Sequence, residues 1–316
     1  MLLPPFLKAN PSDQRSVFNG INEIEAQRIM EGYEHPRSSQ WGTQEAVKIE
    51  NASRNRYANV FPWDKNRVHL PVDEKGSDYI NASFIDIDGK HKYIAAQGPL
   101  RNTVHHFWAM CYKESEEQHN DVVIIAMVTP LEESGIKKCH QYWPNKNTVT
   151  LDLSKASLED HITIPSLAVH WVGESYNDKG HYLLTELELR SSKKTKRVYH
   201  FHYFEWADAQ VPPSSASLLS LAHDINALKN SVASTAVPII HCSAGVGRTG
   251  TFIALDWMLQ KFPKCSASFS CSSNTDPLES IIWSLRDQRM MMVQTFSQYR
   301  FLYEVLRSFS LNRNNQ

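Results

Sequence analysis

The sequence predicts an α/β fold, on three observations. Residues 122–128, VVIIAMV, are an uninterrupted apolar run that reads as a strand buried on both faces, as a central sheet requires. Residues 145–205 alternate as strands and turns, for which antiparallel pairing is the expected form. The apolar run 237–240 passes through a glycine-rich loop into TFIALDWMLQKF, whose Phe252, Leu255 and Leu259 keep helical spacing.

The other elements follow in chain order. Residues 1–50 read as a helical extension packing on the main body, because Val17, Phe18, Ile21, Ile24, Ile29 and Met30 roughly follow a helical period, enough for one or two amphipathic helices. Proline and polar residues around 35–44 predict a surface connection. In residues 51–70, Arg54, Arg56, Lys65 and Arg67 bracket Tyr57, and Pro62 breaks any helix, which suggests a basic loop carrying an exposed aromatic. Residues 78–100 alternate about a turn at Asp88 and Gly89, as a hairpin would, and Val104, Phe107, Trp108 and Cys111 have helical spacing. The charges of residues 131–144 by themselves predict a solvated loop. A helix is expected over 218–228, a serine-rich surface loop over 263–277, two helices about a central break in the last block, and a short tail over 310–316.

Composition narrows the class. A chain of 316 residues accommodates one large domain or two small ones. Its 33 basic and 34 acidic residues nearly cancel, which gives no support for a nucleic-acid or membrane partner driven by bulk charge. No stretch approaches the ~18 apolar residues that span a bilayer, and MLLPPFL is too short and too broken by proline for a signal peptide. The five cysteines, Cys111, Cys139, Cys242, Cys265 and Cys271, are odd in number and scattered, as reduced thiols of a cytosolic or nuclear protein would be. The 14 histidines are dispersed without an HExxH or similar cluster, so neither a metal nor a cofactor is expected.

The chemistry gathers in residues 241–250, HCSAGVGRTG. Gly245, Gly247 and Gly250 let the backbone curl so that successive N–H groups converge on one anion. Arg248 would complete this cradle, and the helix that follows turns its positive N-terminal end toward it. The same field acts on Cys242. A free thiol titrates near pH ~8.5, and helix ends or cations bring it to roughly 3.5–7.5, which yields a thiolate nucleophile at neutral pH. Thr249 would hydrogen-bond it. Such a site suits attack on phosphorus, with the non-bridging oxygens held by amides and by the fork of Arg248. A low-pKa thiolate is also the kind that peroxide oxidises first, and a sulfenic acid on Cys242 could condense with the Ser243 amide nitrogen.

This stretch carries the CxxxxxR[ST] loop of the cysteine-dependent phosphatases and resembles the HCSAGxGRTG form of the tyrosine-specific protein tyrosine phosphatases. The resemblance runs from about residue 51 to 309, with five loops in family order. It implies a single phosphatase domain over 51–309, a twisted mixed sheet flanked by helices, a phosphate-binding loop between a strand and a helix, and no metal. In it the backbone of Ser243, Ala244, Gly245, Val246 and Gly247 binds the phosphate. Residues 55–64 are similar to the NRYxxVxPYD recognition loop, with Trp63 for the usual tyrosine; Tyr57 would line a slot deep enough for an aryl phosphate, and Asn59 would bind substrate backbone. Glu133 would fix the fork of Arg248, Lys138 would reach toward the acid loop, and Tyr142 would bond His241. Gln294 would position water, Gln298 would assist at the site entrance, Arg286 would support the cradle, and Met291 would narrow one side.

Ester hydrolysis needs a proton for the leaving oxygen. The family supplies it from a WPDxGxP loop, which here reads Trp206, Ala207, Asp208, Ala209, Gln210, Val211, Pro212. Asp208 is the expected acid and then base. Alanine and glutamine in place of proline and glycine should alter hinge freedom, so that the loop closes more slowly or less completely. The resemblance thus implies hydrolysis of phosphotyrosine in proteins by a monomer, in the cytoplasm with access to the nucleus, with a signalling kinase such as a MAP kinase as a substrate by analogy with soluble fungal members. The alternative is a phosphotyrosine-binding module whose acid loop closes poorly. Ala244 and Val246 stand where a phosphoinositide phosphatase would carry lysines.

Overall fold

In the computed structural model, which describes residues 4–233, 235–261 and 276–312, the N-terminal stretch is one long helix, α1 (Pro11–Glu34), followed after an irregular connection by the single turn α2 (Gln44–Val47). The Asn10 side chain caps α1 by accepting the amides of Ser12 and Asp13 at 2.8 and 2.9 Å, and Pro11 sits where no amide is needed. Next come β1 (Arg67–His69), the hairpin β2 (Tyr79–Asp86) and β3 (Lys92–Ala96), α3 (Val104–Glu117) and β4 (Val122–Met127). A small hairpin, β5 (Glu132–Glu133) and β6 (Ile136–Lys137), precedes β7 (Thr150–Asp152), α4 (Ser154–Glu159), β8 (Ala168–Asn177), β9 (Tyr182–Arg190) and β10 (Thr195–His202). The chain closes with α5 (Ser215–Val232), β11 (Ile239–His241), α6 (Gly247–Lys261), α7 (Pro277–Gln288) and α8 (Phe296–Asn312).

Among the described residues the strands form a nine-stranded sheet in the order β1-β2-β3-β11-β4-β10-β9-β8-β7. Its centre is parallel, with β11 between β3 and β4, and β10 on the far side of β4; both flanks are antiparallel. The central strands are buried on both faces. Ile124, Ala126 and Val128 join the core beneath α1 and α5 to α8, whereas Val123, Ile125 and Met127 join the core beneath α3. That is the period of two expected of a strand covered by helices on each side.

Several expectations need correction. The stretch 145–205 is not all strand and turn, since it contains α4, and β10 pairs parallel to β4 as well as antiparallel to β9. Residues 263–275 of the serine-rich segment lie outside the described residues, as do Cys265 and Cys271. Asp276 and Pro277 are not loop: Asp276 caps α7 by accepting the Leu278 and Glu279 amides. Helix α8 continues to Asn312, into the expected tail, whose residues 313–316 also lie outside the described part. The basic loop is not a basic surface. Arg54 donates to the carbonyls of Ser77 and Tyr79, and Arg56 to those of Gly98, Pro99 and Lys137, so the guanidinium groups pin loops together. Among the described residues no helix is long and apolar enough to cross a membrane.

Helix α1 packs on α8 through Phe18, whose ring lies 6.0 Å from Phe296 and 5.3 Å from Tyr299. Truncating a buried phenylalanine costs about 3–5 kcal/mol. Phe18→Ala should therefore lower the unfolding free energy measured in urea by that amount, with a lower midpoint; an unchanged midpoint would make α1 a passive appendage.

Candidate active site

Parallel register brings the site together. His241 at the end of β11 pairs with both Ala96 of β3 and Met127 of β4, and His202 at the end of β10 pairs with Met127. Three chain segments therefore leave the sheet at its carboxyl edge side by side: residue 242 onward, residue 128 onward and residue 203 onward. This is the edge at which open α/β sheets bind ligands. Cys242, the β5–β6 hairpin with Glu133, Lys138 just beyond it, and Asp208 meet there although far apart in sequence.

The loop after β11 is shaped by close contacts. Gly245 has φ +74°, and a Cβ on it would stand 2.1 Å from the Ala96 carbonyl oxygen, so no other residue fits. Gly247 starts α6 with Gln294 Oε1 and the Gln298 amide 3.1 and 3.2 Å from where a Cβ would lie. Arg289, wholly buried, donates to the carbonyls of Ala244 and Gly245 at 3.0 and 2.8 Å and is anchored on Asn81 and Ser83. Holding these carbonyls outward turns the following amides inward, and the Gly245 N–H points at Cys242 Sγ, 3.3 Å away. Burial pushes the Cys242 thiol up, yet Arg248, the Thr249 hydroxyl and amide and the Gly245 amide together carry it below its ordinary value. The buried Thr249 hydroxyl lies close enough to exert this pull without completing a well-aligned hydrogen bond.

Arg248 faces the same space, only 1% exposed. Its guanidinium donates to the Trp206 carbonyl at 2.8 Å and to Asp208 Oδ1 at 3.2 Å. Glu133 was expected to accept from this fork; instead its Oε2 stands 3.8 Å away, and its Oε1 takes the Asp208 amide at 2.7 Å. Glu133 thus hydrogen-bonds the acid loop and meets the arginine only as an ion pair. Lys138 Nζ reaches Asp208 Oδ2 at 2.7 Å. Burial raises the Asp208 carboxyl, but Lys138 and Arg248 outweigh it and hold the group below its usual value.

The acid loop is held down on the cradle. Trp206 is buried and its indole N–H donates to the Gln210 carbonyl at 2.8 Å; Thr295 donates to the Ala209 carbonyl at 3.4 Å. Ala209, not Gln210, takes the left-handed conformation, with φ +54°. A glycine at 210 is therefore not demanded by the backbone seen here, while Ala209 carries roughly 1–2 kcal/mol of left-handed strain that those contacts offset.

Tyr57 forms the opposite wall. Ser243 donates its one hydroxyl proton to the Lys138 carbonyl, so the 2.8 Å contact between Tyr57 and Ser243 has Tyr57 as donor. Tyr57, Asn59, Asp208, Cys242, Arg248 and Gln294 line a pocket of about 220 Å³, with Ser243, Ala244 and Gly247 at its floor. Behind the nucleophile, Tyr142 bonds the Nε2 atoms of His241 and His200 at 2.7 Å each. Burial holds His200 far below its ordinary pKa and pushes His241 down to about 3, so both rings are neutral. His241 Nδ1 stands 3.1 Å from the Cys242 carbonyl, and His200 Nδ1 has no partner. These two facts orient the protons: His200 Nε2–H donates to Tyr142, Tyr142 to His241 Nε2, and His241 Nδ1–H to the Cys242 carbonyl.

Three further placements differ from expectation. Arg286 does not touch the cradle; it donates to the Met292 and Val293 carbonyls and pairs with Glu25 Oε2 at 2.6 Å. Arg289 makes the cradle contacts instead. Gln298 is buried, not at the entrance, and its Oε1 accepts the Gln294 and Thr295 amides. Met291 is not among the pocket-lining residues and packs against the Trp41–Trp63 pair.

Glu25, Arg289 and His200 were missed. Glu25 Oε1 also accepts the Met291 amide at 2.6 Å, so α1 fixes both ends of a segment in which Met291 and Val293 have φ +60° and +57° just before Gln294. A signal for Glu25 existed: it follows Phe18 and Ile21 on one helical stripe, and a carboxylate on a buried stripe needs a partner. Nothing in SLRDQRMM separates Arg289 from Arg286.

Comparison with known proteins agrees with this geometry. The family model described as protein-tyrosine phosphatase matches residues 51–308. Tyrosine-protein phosphatase 1 of Saccharomyces cerevisiae is 34% identical, covering 98% of this chain and 99% of that protein. Tyrosine-protein phosphatase 1 of Schizosaccharomyces pombe is 32% identical over 92% of this chain, which spans half of that longer protein. Among solved structures, the catalytic domain of human protein tyrosine phosphatase non-receptor type 18 has a TM-score of 0.76 at 28% identity, covering 94% of this chain and 96% of that one. The same phosphatase bound to a HER2 phosphopeptide has a TM-score of 0.76 at 28% identity, covering 93% and 98%.

Burial pushes Arg289 down to about 10, which leaves it charged at neutral pH. Removing it leaves buried acceptors on Ala244, Gly245, Asn81 and Ser83 unpaired, and losing such partners costs about 3–5 kcal/mol in sum, at roughly 1–3 kcal/mol for a group left unsatisfied. Arg289→Met should lose that much in urea denaturation and should weaken binding of inorganic phosphate; phosphate affinity unchanged in the folded variant would deny Arg289 its hold on the cradle.

Proposed function

The chain belongs to the protein-tyrosine phosphatase family, and from that premise we propose that it hydrolyses phosphotyrosine in proteins by two displacements at Cys242. It is an enzyme of the protein-tyrosine-phosphatase class. The observation that carries the mechanistic reading is the shared pocket: the Cys242 thiol, the Asp208 carboxyl, Arg248 and the Tyr57 ring line one space of about 220 Å³.

In the first displacement Cys242 Sγ bonds to phosphorus as the phosphorus–phenol bond breaks, and the departing oxygen takes a proton from Asp208. In the second, a water positioned by Gln294 attacks phosphorus and gives its proton to Asp208, while the sulfur leaves as a thiolate eased by Thr249. Arg248 and the inward amides stabilise the charge on the equatorial oxygens in both steps. A phosphoryl group seated there competes with Asp208 for Arg248 and adds negative charge beside it. Both effects raise the carboxyl from its depressed value, which is what a proton donor needs. Phosphotyrosine is the fitting substrate because Tyr57 walls a slot that a shorter phosphoserine would not fill, and Asn59 stands at its rim to bind peptide backbone.

The proposal extends to a monomer acting in the cytoplasm or nucleus, without a nucleic-acid or membrane partner, on a signalling kinase such as a MAP kinase. The near balance of 33 basic and 34 acidic residues supports the absence of a nucleic-acid or membrane partner driven by bulk charge.

Cys242→Ser should abolish turnover of an aryl phosphate. Asp208→Ala should lower kcat by about 10²–10⁴, the usual weight of a general acid, and should retain phosphorylated substrates for identification. Tight binding with no turnover by the unaltered reduced protein would instead mark a binding module. The pH profile offers a second measurement. Activity needs Cys242 ionised and Asp208 protonated; kcat reports the substrate complex, in which the carboxyl is raised, so its falling limb follows Asp208. Lys138 helps to hold that carboxyl low; Lys138→Met should therefore move the falling limb to higher pH, and a limb that stays put would remove Asp208 from the acid role.

A further inference from the structure

Helix α3, on the face of the sheet away from α6, carries His105 and His106 with ring centroids 4.1 Å apart. Both face Asp160, the residue that ends α4. Nε2 of His105 lies 2.6 Å and Nε2 of His106 2.8 Å from the same oxygen, Asp160 Oδ2, and one ligand-type atom from each residue falls within 4.8 Å of the others. His106 is 2% exposed, yet neither of its ring nitrogens has a hydrogen bond of proper geometry. His106 meets Asp160 at 2.8 Å without an aligned hydrogen bond; a buried imidazole so poorly bonded is costly, and a cation on Nε2 would bond it.

We propose that His105 Nε2, His106 Nε2 and Asp160 Oδ2 bind a divalent transition-metal ion of the zinc type, with water in the fourth position. Two imidazoles and a carboxylate are a ligand set suited to zinc and poorly suited to magnesium or calcium. Before the ion binds, the Asp160 carboxylate takes the Nε2 proton of His105 at 2.6 Å, so binding of the ion releases that proton. Bonds of about 2.0–2.2 Å in a tetrahedron place ligand atoms roughly 3.3 Å apart. Asp160 must draw back by less than about 1 Å, which is a small adjustment for a carboxylate 36% exposed at a turn whose next residue, His161, has φ +59°. Arg54, 3.9 Å from Oδ1, opposes a cation. The groove beside it, about 650 Å³, favours one: seven carboxylates, among them Glu50, Asp73, Asp78 and Glu159, line it against Lys48, Arg54 and Lys75. The ion would tie α3 to the α4 turn and, through Arg54, to the loop that bears Tyr57. The 53 residues between His106 and Asp160 explain why no sequence motif reveals the site.

The test uses the full chain with Cys242→Ser, which removes the active-site thiolate as a competing ligand. Titration with Co2+ should saturate at one equivalent with the visible absorption of a tetrahedral site, Zn2+ should displace it and raise Tm, and Mg2+ should do neither. Adding Asp160→Ala, a partly exposed change, should weaken Co2+ binding at least about tenfold and cancel the Zn2+ effect on Tm; His106→Gln should do the same. No saturable Co2+ signal in the Cys242→Ser protein overturns the proposal, as does undiminished binding in the Asp160→Ala protein.

Discussion

Holding the pKa of a thiol that is only 3% exposed below its ordinary value is the constraint around which the molecule is arranged. Burial acts against it. The opposing terms come from four places: the Arg248 guanidinium, the Gly245 amide, the Thr249 hydroxyl and amide, and the start of α6 at Gly247. None of these would face Cys242 if the loop were free to relax. Arg289 prevents that by holding two loop carbonyls on the outside, and the Ala96 backbone leaves room there for nothing larger than glycine. The anion site is thus made by what lies behind the loop as much as by the loop itself.

The acid loop answers to the same charges. Arg248 joins it to the cradle through the Trp206 carbonyl and Asp208, while Lys138 and Glu133 hold Asp208 from the other side, one at its carboxylate and one at its amide. Polar contacts fix this loop at both ends, with Ala207 and Gln210 within it. Strain shows at Ala209, in its left-handed backbone. In the proposed mechanism the proton donor and the phosphate share one arginine, which couples occupancy of the cradle to the protonation of the acid.

Helix α1 is part of this assembly. Glu25 satisfies Arg286 and the Met291 amide, and these fix the backbone that delivers Gln294, in a segment where a β-branched residue, Val293, is left-handed. Left-handed backbone at such residues persists only where surroundings over-determine it. Buried charge on α1 supplies that here.

By itself the sequence determined the strand–loop–helix around Cys242, the buried strand β4, the hairpin β2–β3, the two C-terminal helices and the identities of Cys242, Arg248, Asp208, Tyr57 and Gln294 as candidates. The elements, Cys242 and Arg248 were legible from local rules, apolar period, glycine placement and fixed offsets within one loop, whereas Asp208, Tyr57 and Gln294 were legible through the resemblance of their loops to a family's. Tertiary structure alone decided which strands lie parallel at the centre, that Arg289 and not Arg286 holds the cradle, that Glu133 takes an amide of the acid loop, that Gln298 is buried, and that His105, His106 and Asp160 converge. The physical reason is common to all of them. Which buried charge meets which partner depends on distances between segments tens to hundreds of residues apart, and those distances exist only once the sheet has set the register of its strand ends.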